Sequence, residues 1–327
     1  MSGNKPFMLN PAAKEYLWGG SRLNDDFNMD LKASPLAEAW MCSTHLDGPS
    51  FVPSFDCLLP DLLEKNSSWL GSHVLQTTDG KPELPIMIKL IDAKKDLSVQ
   101  VHPDDEYALK YEGELGKTEM WFVLSARKDA ELIYGFKEAM EKQQVREALA
   151  DGTISMYLNH VPVHRNDLFY IEAGTVHAIG SGCLIAEIQE SSNLTYRLYD
   201  YDRVDRRGQK RELHIDKALE VANLSPSTSP RQPMRVLKYK RGYASELLTR
   251  CKYFQVERML LNTENRHMAD FQTGSNSFHA LLCVDGCGVL FGEGFMLNFF
   301  KGDCVFVPAE SIPLKLHGKA QILNVSC

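Results

Sequence analysis

The chain has 327 residues, and 36 Lys and Arg against 43 Asp and Glu leave a formal net charge of −7. Such a charge excludes a basic nucleic-acid-binding surface as the leading interpretation. Hydrophobic residues make up 44% of the chain and charged residues 24%, which is typical of a folded protein with a large core, in two domains or one large all-β unit.

The N-terminus and the cysteines favour a soluble, reduced protein. The opening residues MSGNKPFMLN lack the basic and apolar regions of a secretory signal, and no apolar run approaches the roughly 20 residues of a membrane span. The eight cysteines are scattered without a CxxC pair, which argues against a thiolate zinc site. We therefore expect a cytoplasmic protein with mostly buried, reduced cysteines. Cys327, at the end of the chain, is predicted to be the cysteine most open to oxidation.

Most of the first two thirds of the chain is predicted to form short strands, because it alternates β-branched and aromatic residues with turn residues. The predicted strands are 84–93, 97–102, 119–126, 130–135, 153–159, 167–173, 183–189 and 195–200. Helical spacing of apolar residues predicts helices at 61–71, 138–152 and 212–224. This pattern indicates an all-β dominated sandwich or barrel with a few helices.

A second strand-rich block follows the segment SPSTSPRQP at 225–233, which has the composition of a linker. Residues 166–173 can be laid on 302–309, and 119–135 on 277–292 with one deletion. The sequence therefore predicts two similar barrels in tandem. We expect a catalytic, metal-binding domain at 1–224, a linker at 225–233 and a C-terminal domain at 234–327.

Four residues of the first block form a candidate metal site. Gln100 and His102 are two apart on a strand and project to the same face. Glu119 begins a later strand, and His177 follows another strand in a glycine-flanked turn. Two imidazoles, a carboxylate and an amide oxygen suit zinc or another divalent ion and leave room for water or a substrate.

The internal copy predicts that the second barrel binds no metal. Aligning Asp167 with Asp303 places Pro313 at the position of His177 and Ser277 at the position of Glu119. Proline cannot bind a metal through its side chain, so we expect one metal ion per chain.

Several longer motifs carry a family resemblance. They are YLWGG (16–20), AEAWMCSTH (37–45), IKLIDAKKDLSVQVHPDDEYA (88–108), GKTEMW (116–121), EAGTVHAIGSG (172–182) and EIQESSNLTYRLYDYDR (187–203). In this order they resemble the short bacterial form of type I mannose-6-phosphate isomerase, a member of the cupin superfamily. The resemblance implies tandem cupin (jelly-roll) β-barrels and a zinc-dependent aldose-ketose isomerase that interconverts mannose 6-phosphate and fructose 6-phosphate. Its zinc ligands fall on Gln100, His102, Glu119 and His177.

The resemblance also implies residues that act on the sugar. Lys117 matches the active-site lysine of the family, Glu187 a proton-transfer candidate and Arg197 the essential arginine. Ser98 and Trp18 are candidate substrate contacts. The alternatives are a solvated loop lysine for Lys117, a paired structural acid for Glu187 and ordinary packing for Trp18.

The phosphate contacts stay open, because the sequence after the arginine departs from the long form of the family. The candidates are Arg203, which we expect to bind substrate, and then Arg206, Arg207, Lys210 and Arg211. A basic run of this kind is also typical of a solvated face.

The expected chemistry is proton transfer between C1 and C2 through a cis-enediol. We expect a carboxyl with a raised pKa, Glu187, to move the proton, with a metal-bound water as the competing group. Lys117 and Arg197 would supply fixed positive charge. No phosphate-binding glycine loop is present, so no nucleotide is expected. We expect no nucleic-acid or membrane partner, and a monomer or homodimer.

Three other functions stay open from the sequence. The same chemistry could act on another phosphosugar or a free sugar. Two histidines and a carboxylate could instead hold iron in a cupin oxygenase. A sugar-responsive binding protein that keeps the barrel without catalysis is the third alternative.

Overall fold

The computed structural model describes residues 4–205, 207–228, 230, 235–264 and 267–327. The predicted linker at 225–233 and the candidate Arg206 lie partly or wholly outside these residues. Within the described ranges, no helix is both long enough and apolar enough to cross a membrane.

The described residues form many strands and a few short helices. The strands are β1 (Phe7–Leu9), β2 (Ala12–Lys14), β3 (Glu38–Cys42), β4 (Phe51–Val52), β5 (Cys57–Leu58), β6 (Ile86–Ala93), β7 (Val99–Val101), β8 (Glu119–Ala126), β9 (Glu131–Phe136), β10 (Leu158–Pro162), β11 (Leu168–Ile171), β12 (His177–Ile179), β13 (Cys183–Glu190), β14 (Tyr196–Tyr199), β15 (Lys238–Lys240), β16 (Tyr243–Arg250), β17 (Gln255–Asn262), β18 (Ala269–Phe271), β19 (His279–Gly292), β20 (Phe295–Phe300), β21 (Cys304–Val307) and β22 (Leu314–Ser326). The helices are α1 (Arg22–Asp25), α2 (Leu59–Lys65), α3 (Ser72–Thr77), α4 (Asp105–Tyr111), α5 (Lys142–Ala150) and α6 (Ile215–Val221), with 3₁₀ turns at Ser67–Leu70 and Ile154–Met156. The predicted strand-dominated architecture is confirmed.

Two facing sheets build the first barrel. The larger has the order β11-β8-β13-β6-β3-β2, and the smaller has the order β10-β9-β12-β7-β14. Apolar side chains from both sheets, among them Trp121, Leu132, Ile179 and Ile185, fill part of the space between them. Helices α5 and α6 cover the outer face of the smaller sheet with a separate apolar cluster.

The C-terminal barrel is one nine-stranded sheet. Its main order is β1-β21-β19-β22-β17-β16-β15, with β18 on β22 and β20 on β19. The long strands β19 and β22 run through most of the barrel and pair with each other. Strand β1 pairs with β21, so the N-terminal strand completes the C-terminal sheet.

The larger sheet of the first barrel and the sheet of the C-terminal barrel each turn one face toward the interface between the two barrels. On β8, Met120 and Phe122 enter an apolar cluster that also contains Phe278 and Phe306 of the C-terminal barrel. The neighbouring Trp121 faces the interior of the first barrel. Because side chains on a strand alternate with a period of two, a single strand supplies both the interface and the interior.

The internal copy is visible in matched turns before β11 and β21. The Asp167 carboxylate accepts the N–H of His164 at 2.7 Å, and the Asp303 carboxylate accepts the N–H of Phe300 at 2.7 Å. The carbonyl of Asp303 accepts the N–H of Cys283 at 2.9 Å, as Asp167 accepts that of Val123 at 3.0 Å. The alignment of Asp167 with Asp303 is therefore confirmed.

The same turns correct the register of β19 by two residues. Ile171 lies opposite Glu119, and the matching Val307 lies opposite His279. His279, and not Ser277, therefore stands at the position of Glu119. Its Nδ1 lies 2.7 Å from the side-chain oxygen of Asn324. The alignment of 119–135 with 277–292 allowed one deleted residue. A single deletion cannot account for a shift of two residues.

The local predictions succeed at the longer helices and fail near turns. Helices α5 and α6 lie inside the predicted ranges 138–152 and 212–224. The predicted strand at 153–159 is wrong in its first half, where the Thr153 N–H donates to the Ala148 carbonyl at 2.8 Å and a 3₁₀ turn follows. Helix α4 was not predicted, although the Asp104 side chain caps it by accepting the N–H of Tyr107.

None of the described cysteines is paired. The prediction that Cys327 is the most exposed is wrong, because Cys287 is exposed and Cys327 is half-buried. The Cys327 N–H donates to Ser277 Oγ at 3.0 Å, which holds the chain end against the sheet.

Candidate metal centre and adjoining pocket

Neighbouring strands of the two facing sheets bring the predicted metal ligands together. His177 on β12 lies directly opposite Gln100 on β7, and their side-chain nitrogens are 3.4 Å apart. Glu119 begins β8 in the other sheet. The Nε2 atom of His177 lies 3.4 Å from Glu119 Oε1, and Nε2 of His102 lies 3.7 Å from Glu119 Oε2.

The two imidazoles are oriented to offer their Nε2 atoms inward. Nδ1 of His102 donates to the Leu194 carbonyl and Nδ1 of His177 donates to the Thr175 carbonyl, each at 2.8 Å. A backbone carbonyl can only accept, so each neutral ring keeps its lone pair on Nε2. Burial lowers the pKa of His177 to about 4. Burial and the Lys117 ammonium hold the pKa of His102 well below its usual range.

The arrangement fits a divalent metal ion. Glu119 is fully buried, and its Oε1 has no hydrogen-bond partner among the described residues. A buried carboxylate oxygen without a partner is costly unless a cation satisfies it. Histidine, cysteine, aspartate and glutamate side chains can ligate a metal. Among the described residues, one group of three such side chains has its ligand atoms within 4.8 Å of one another, and it consists of His102, Glu119 and His177. Inward-facing imidazoles fixed by carbonyls are typical of metal-bound histidines.

Lys117 joins the metal ligands to the pocket. Its Nζ lies 2.5 Å from Glu119 Oε2 and 3.2 Å from His102 Nε2. Although burial disfavours its charge, the carboxylates of Glu119 and Glu187 hold the pKa of Lys117 above its usual range. The alternative of a solvated loop lysine is therefore wrong, because Lys117 is only 4% exposed.

A buried ionic row continues from Lys117 across the larger sheet. Lys89 lies 3.5 Å from Glu187 Oε1 and 3.9 Å from Glu38 Oε2. The indole of Trp121 donates to Glu187 Oε2 at 2.8 Å. Burial would raise the pKa of Glu187, but the ammonium groups of Lys117 and Lys89 hold it below its usual range. The expectation of a raised pKa at Glu187 is therefore wrong.

Lys89 and Glu38 were not among the predicted site residues. A signal existed, since Lys89 is a charged residue in the strand IMIKLIDA, all of which is buried. A charge in such a strand requires a partner.

A cavity of about 230 Å³ opens above this row. Its lining includes residues predicted for the site, namely Trp18, Ser98, Gln100, Lys117, Glu187 and Arg197. Arg211, one of the candidate phosphate contacts, also lines it. The remaining lining residues were not predicted, and they are Tyr16, Glu38, Lys89, Ile91, Leu97, Ile179, Asn193 and Thr195. Trp18 stacks on Tyr16 with ring centroids 5.4 Å apart, so it is both a wall of the cavity and a packed core residue.

One end of the cavity is cationic. Arg197 donates through Nε to Ser98 Oγ at 3.3 Å and through Nη1 to the Glu212 carbonyl at 2.7 Å. Arg211 donates through Nε to Asp200 at 2.8 Å and through Nη2 to its other oxygen at 2.5 Å. Both arginines line the cavity.

Arg203 lies behind this end and does not line the cavity. It pairs with Asp200 and donates to the Asp96 carbonyl. Arg207 and Lys210 are exposed. Of the described arginines in the basic run, Arg211 is therefore the one that reaches the cavity.

Family profiles, related sequences and solved structures all match this chain to phosphomannose isomerases. The family profile "Phosphomannose isomerase type I, catalytic domain" matches residues 7–137, and "Mannose-6-phosphate isomerase, cupin domain" matches residues 244–327. The chain is 35% identical to mannose-6-phosphate isomerase ManA of Bacillus subtilis over 98% of both chains. It is 40% identical to mannose-6-phosphate isomerase of Streptococcus mutans over 67% of this chain and 68% of the relative. The solved structure of the mannose 6-phosphate isomerase from Bacillus subtilis superimposes with a TM-score of 0.88 and 32% identity, covering 99% of each chain.

Proposed function

The chain belongs to the type I phosphomannose isomerase family, and on that premise we propose that it interconverts D-mannose 6-phosphate and D-fructose 6-phosphate with one bound zinc ion. Membership confirms the resemblance read from the sequence motifs and the predicted cupin fold. The observation that carries the zinc proposal is the buried Glu119 carboxylate, whose Oε1 has no hydrogen-bond partner among the described residues and which lies beside the Nε2 atoms of both imidazoles.

His102, Glu119 and His177 would hold the metal. Gln100 is proposed as the fourth ligand, because a half-turn of its side-chain amide would present an oxygen beside His177. When bound, a divalent ion here would supply Lewis acidity toward the sugar oxygens that carry charge during the reaction.

The proposed proton carrier between C1 and C2 is Glu187. Its Oε2 is occupied by the Trp121 indole, so Oε1 is the oxygen available to the sugar. The low pKa keeps this carboxyl ionised and able to accept the proton that leads to a cis-enediol. Lys89 and Lys117 lie 3.5 Å and 3.9 Å from the same oxygen. Their charge would stabilise the negative charge that develops on the sugar oxygens.

The phosphate is proposed to bind between Arg197, Arg211 and Ser98. Asp200 pairs with Arg203 and Arg211, and the exposed Glu212 carboxylate also acts on Arg197. The three guanidinium groups outnumber these two carboxylates, so this end of the cavity keeps a net positive charge, which suits a phosphate group.

The sheet sets the distance between the two ends of the sugar. His177, Gln100 and Arg197 lie opposite one another on three adjacent strands, β12, β7 and β14. Two interstrand spacings span roughly 10 Å, which is comparable with the length of an open-chain hexose phosphate. The reacting carbons can then lie at the metal while the phosphate lies at the arginines.

A substrate comparison tests the proposal. Purified protein loaded with zinc is assayed for fructose 6-phosphate formation from mannose 6-phosphate, and for ketose formation from mannose and glucose 6-phosphate. We expect turnover of mannose 6-phosphate, inhibition by inorganic phosphate that is competitive with it, and much weaker turnover of the free sugar. Faster turnover of either comparison sugar would contradict the proposed substrate, and oxygen uptake by iron-loaded protein would favour the oxygenase alternative.

A further inference from the structure

The chain segment that carries two active-site side chains is held by two carboxyl groups. Residues 116–119 include the lysine and the glutamate at the metal centre. The N–H of Gly116 donates to Asp105 Oδ1 at 3.0 Å, and the N–H of Thr118 donates to Glu190 Oε1 at 2.6 Å. A Cβ on Gly116 would lie 2.5 Å from the Asp105 backbone nitrogen. The segment is therefore fixed in place both by hydrogen bonds and by close packing.

The two carboxyl groups also act on each other's charge. Burial and the neighbouring Asp105 raise the pKa of Glu190 to about 8. Two neighbouring carboxylates repel each other unless one keeps its proton. Glu190, which is 1% exposed, is the one that keeps it at neutral pH.

The C-terminal barrel supplies the remaining partner of this pair. The hydroxyl of Tyr253 donates to Asp105 Oδ2 at 2.7 Å, and Lys252 Nζ lies 3.1 Å from the same oxygen. The Lys252 side chain is 70% exposed, so its ion pair contributes little. The half-buried tyrosine hydroxyl is the main link between the two barrels at this point.

We propose that Tyr253 is a positioning residue for the active site, acting through Asp105 and Glu190 on the segment that carries Lys117 and Glu119. The C-terminal barrel would then help to position the active site, although the proposed metal ligands all lie in the first barrel. The inference deepens the proposed function, and its kinetic part rests on that function. Groups that orient metal ligands from outside the ligand set typically change metal affinity or activity by about 10- to 100-fold when removed.

The first test compares two tyrosine variants of the full-length protein. Tyr253→Phe removes the hydroxyl, and Tyr239→Phe removes a hydroxyl from a side chain of the same barrel that is 82% exposed. Zinc affinity is measured by competition with a chromophoric chelator, and kcat and KM with mannose 6-phosphate. We expect Tyr253→Phe to weaken zinc binding and lower kcat by about tenfold each, with KM changed less than about twofold. Tyr239→Phe should match the unmodified protein.

A second pair keeps the inference testable if Tyr253→Phe fails to fold. In Glu190→Gln the uncharged amide can accept from the Thr118 N–H, as the protonated carboxyl does. Glu190→Leu cannot accept this hydrogen bond. We expect Glu190→Gln to stay within about twofold of the unmodified zinc affinity at pH 7, and Glu190→Leu to lose at least about tenfold.

An unchanged zinc affinity in a folded Tyr253→Phe would overturn the inference, and so would an unchanged zinc affinity in Glu190→Leu. The zinc measurement needs no sugar. If the unmodified protein fails to isomerise mannose 6-phosphate, the proposed function fails while the zinc comparison still decides the role of Tyr253.

Discussion

Replacing Arg211 with Met would show which guanidinium binds the phosphate. Arg211 lines the cavity, and its loss leaves Asp200 paired with Arg203. The fold should therefore survive. Arg203→Met is the matched control, because it removes a guanidinium from the same carboxylate without changing the cavity wall.

The expected change in KM follows from the loss of one charged hydrogen bond between Arg211 and the phosphate. Such a bond contributes about 1.5–3 kcal/mol, and each 1.4 kcal/mol is a factor of about ten. Since the phosphate does not react, its binding should be the same in the ground and transition states. Arg211→Met should therefore raise KM by roughly 10- to 100-fold with little change in kcat, whereas Arg203→Met should change KM less than about threefold.

Steady-state kinetics in the coupled assay, with inorganic phosphate as a competitive inhibitor, measures both variants. The inhibition constant for phosphate should rise with KM in Arg211→Met. A larger KM effect in Arg203→Met than in Arg211→Met would refute the assignment of the phosphate end.

Further predictions concern the metal, the proton carrier and pH. His102→Ala should lose bound zinc and turnover together while the circular dichroism spectrum stays unchanged; an active, zinc-loaded variant would remove His102 from the ligand set. Glu187→Gln should keep its zinc and lose at least about 10²-fold in kcat, because a positioned proton carrier contributes that much; loss of the metal would instead give Glu187 a structural role. Burial raises the folded-state pKa of Glu190 from 4.5 to about 8, so its contribution to stability is complete below pH 4.5 and is lost as the pH rises through 8. The urea midpoint of the unmodified protein, taken relative to Glu190→Gln, should fall as the pH rises from about 5 to about 9. A constant difference between the urea midpoints of the two proteins over this pH range would contradict the raised pKa of Glu190.

The sequence allowed the fold class and the main catalytic candidates to be predicted because each rests on a local pattern. Gln100 lies on β7 with His102 directly after the strand, and Glu119 and His177 are the first residues of β8 and β12. His177 was predicted in a turn and instead begins a strand. Long motifs gave the family. The predicted metal ligands do come together, with His102, Glu119 and His177 as a buried group.

The residues that sequence reasoning missed depend on pairing between distant strands. Lys89 meets Glu187 only because β6 and β13 are neighbours in the larger sheet. Arg203 and Arg211 were both candidates from the basic run, and the sequence could not show that Arg211 lines the cavity while Arg203 does not. The raised pKa expected at Glu187 was wrong for the same reason, since Lys89 of β6 and Lys117, just before β8, lower the pKa of Glu187.

The contact between the two barrels could not be predicted at all. Tyr253 and Asp105 are far apart in the sequence, and although Asp105 lies in the motif 88–108, nothing in the sequence pairs it with Tyr253. Their hydrogen bond depends on how the C-terminal barrel packs against the first.

The central claim is that the buried His102, Glu119 and His177 hold a metal ion that isomerisation requires. The most direct measurement is a zinc titration of chelator-treated protein, with bound metal and fructose 6-phosphate formation measured in the same samples. We predict that metal and turnover rise together and reach a plateau at one ion per chain, and that His102→Ala shows neither. Full turnover by the metal-free protein would contradict the claim.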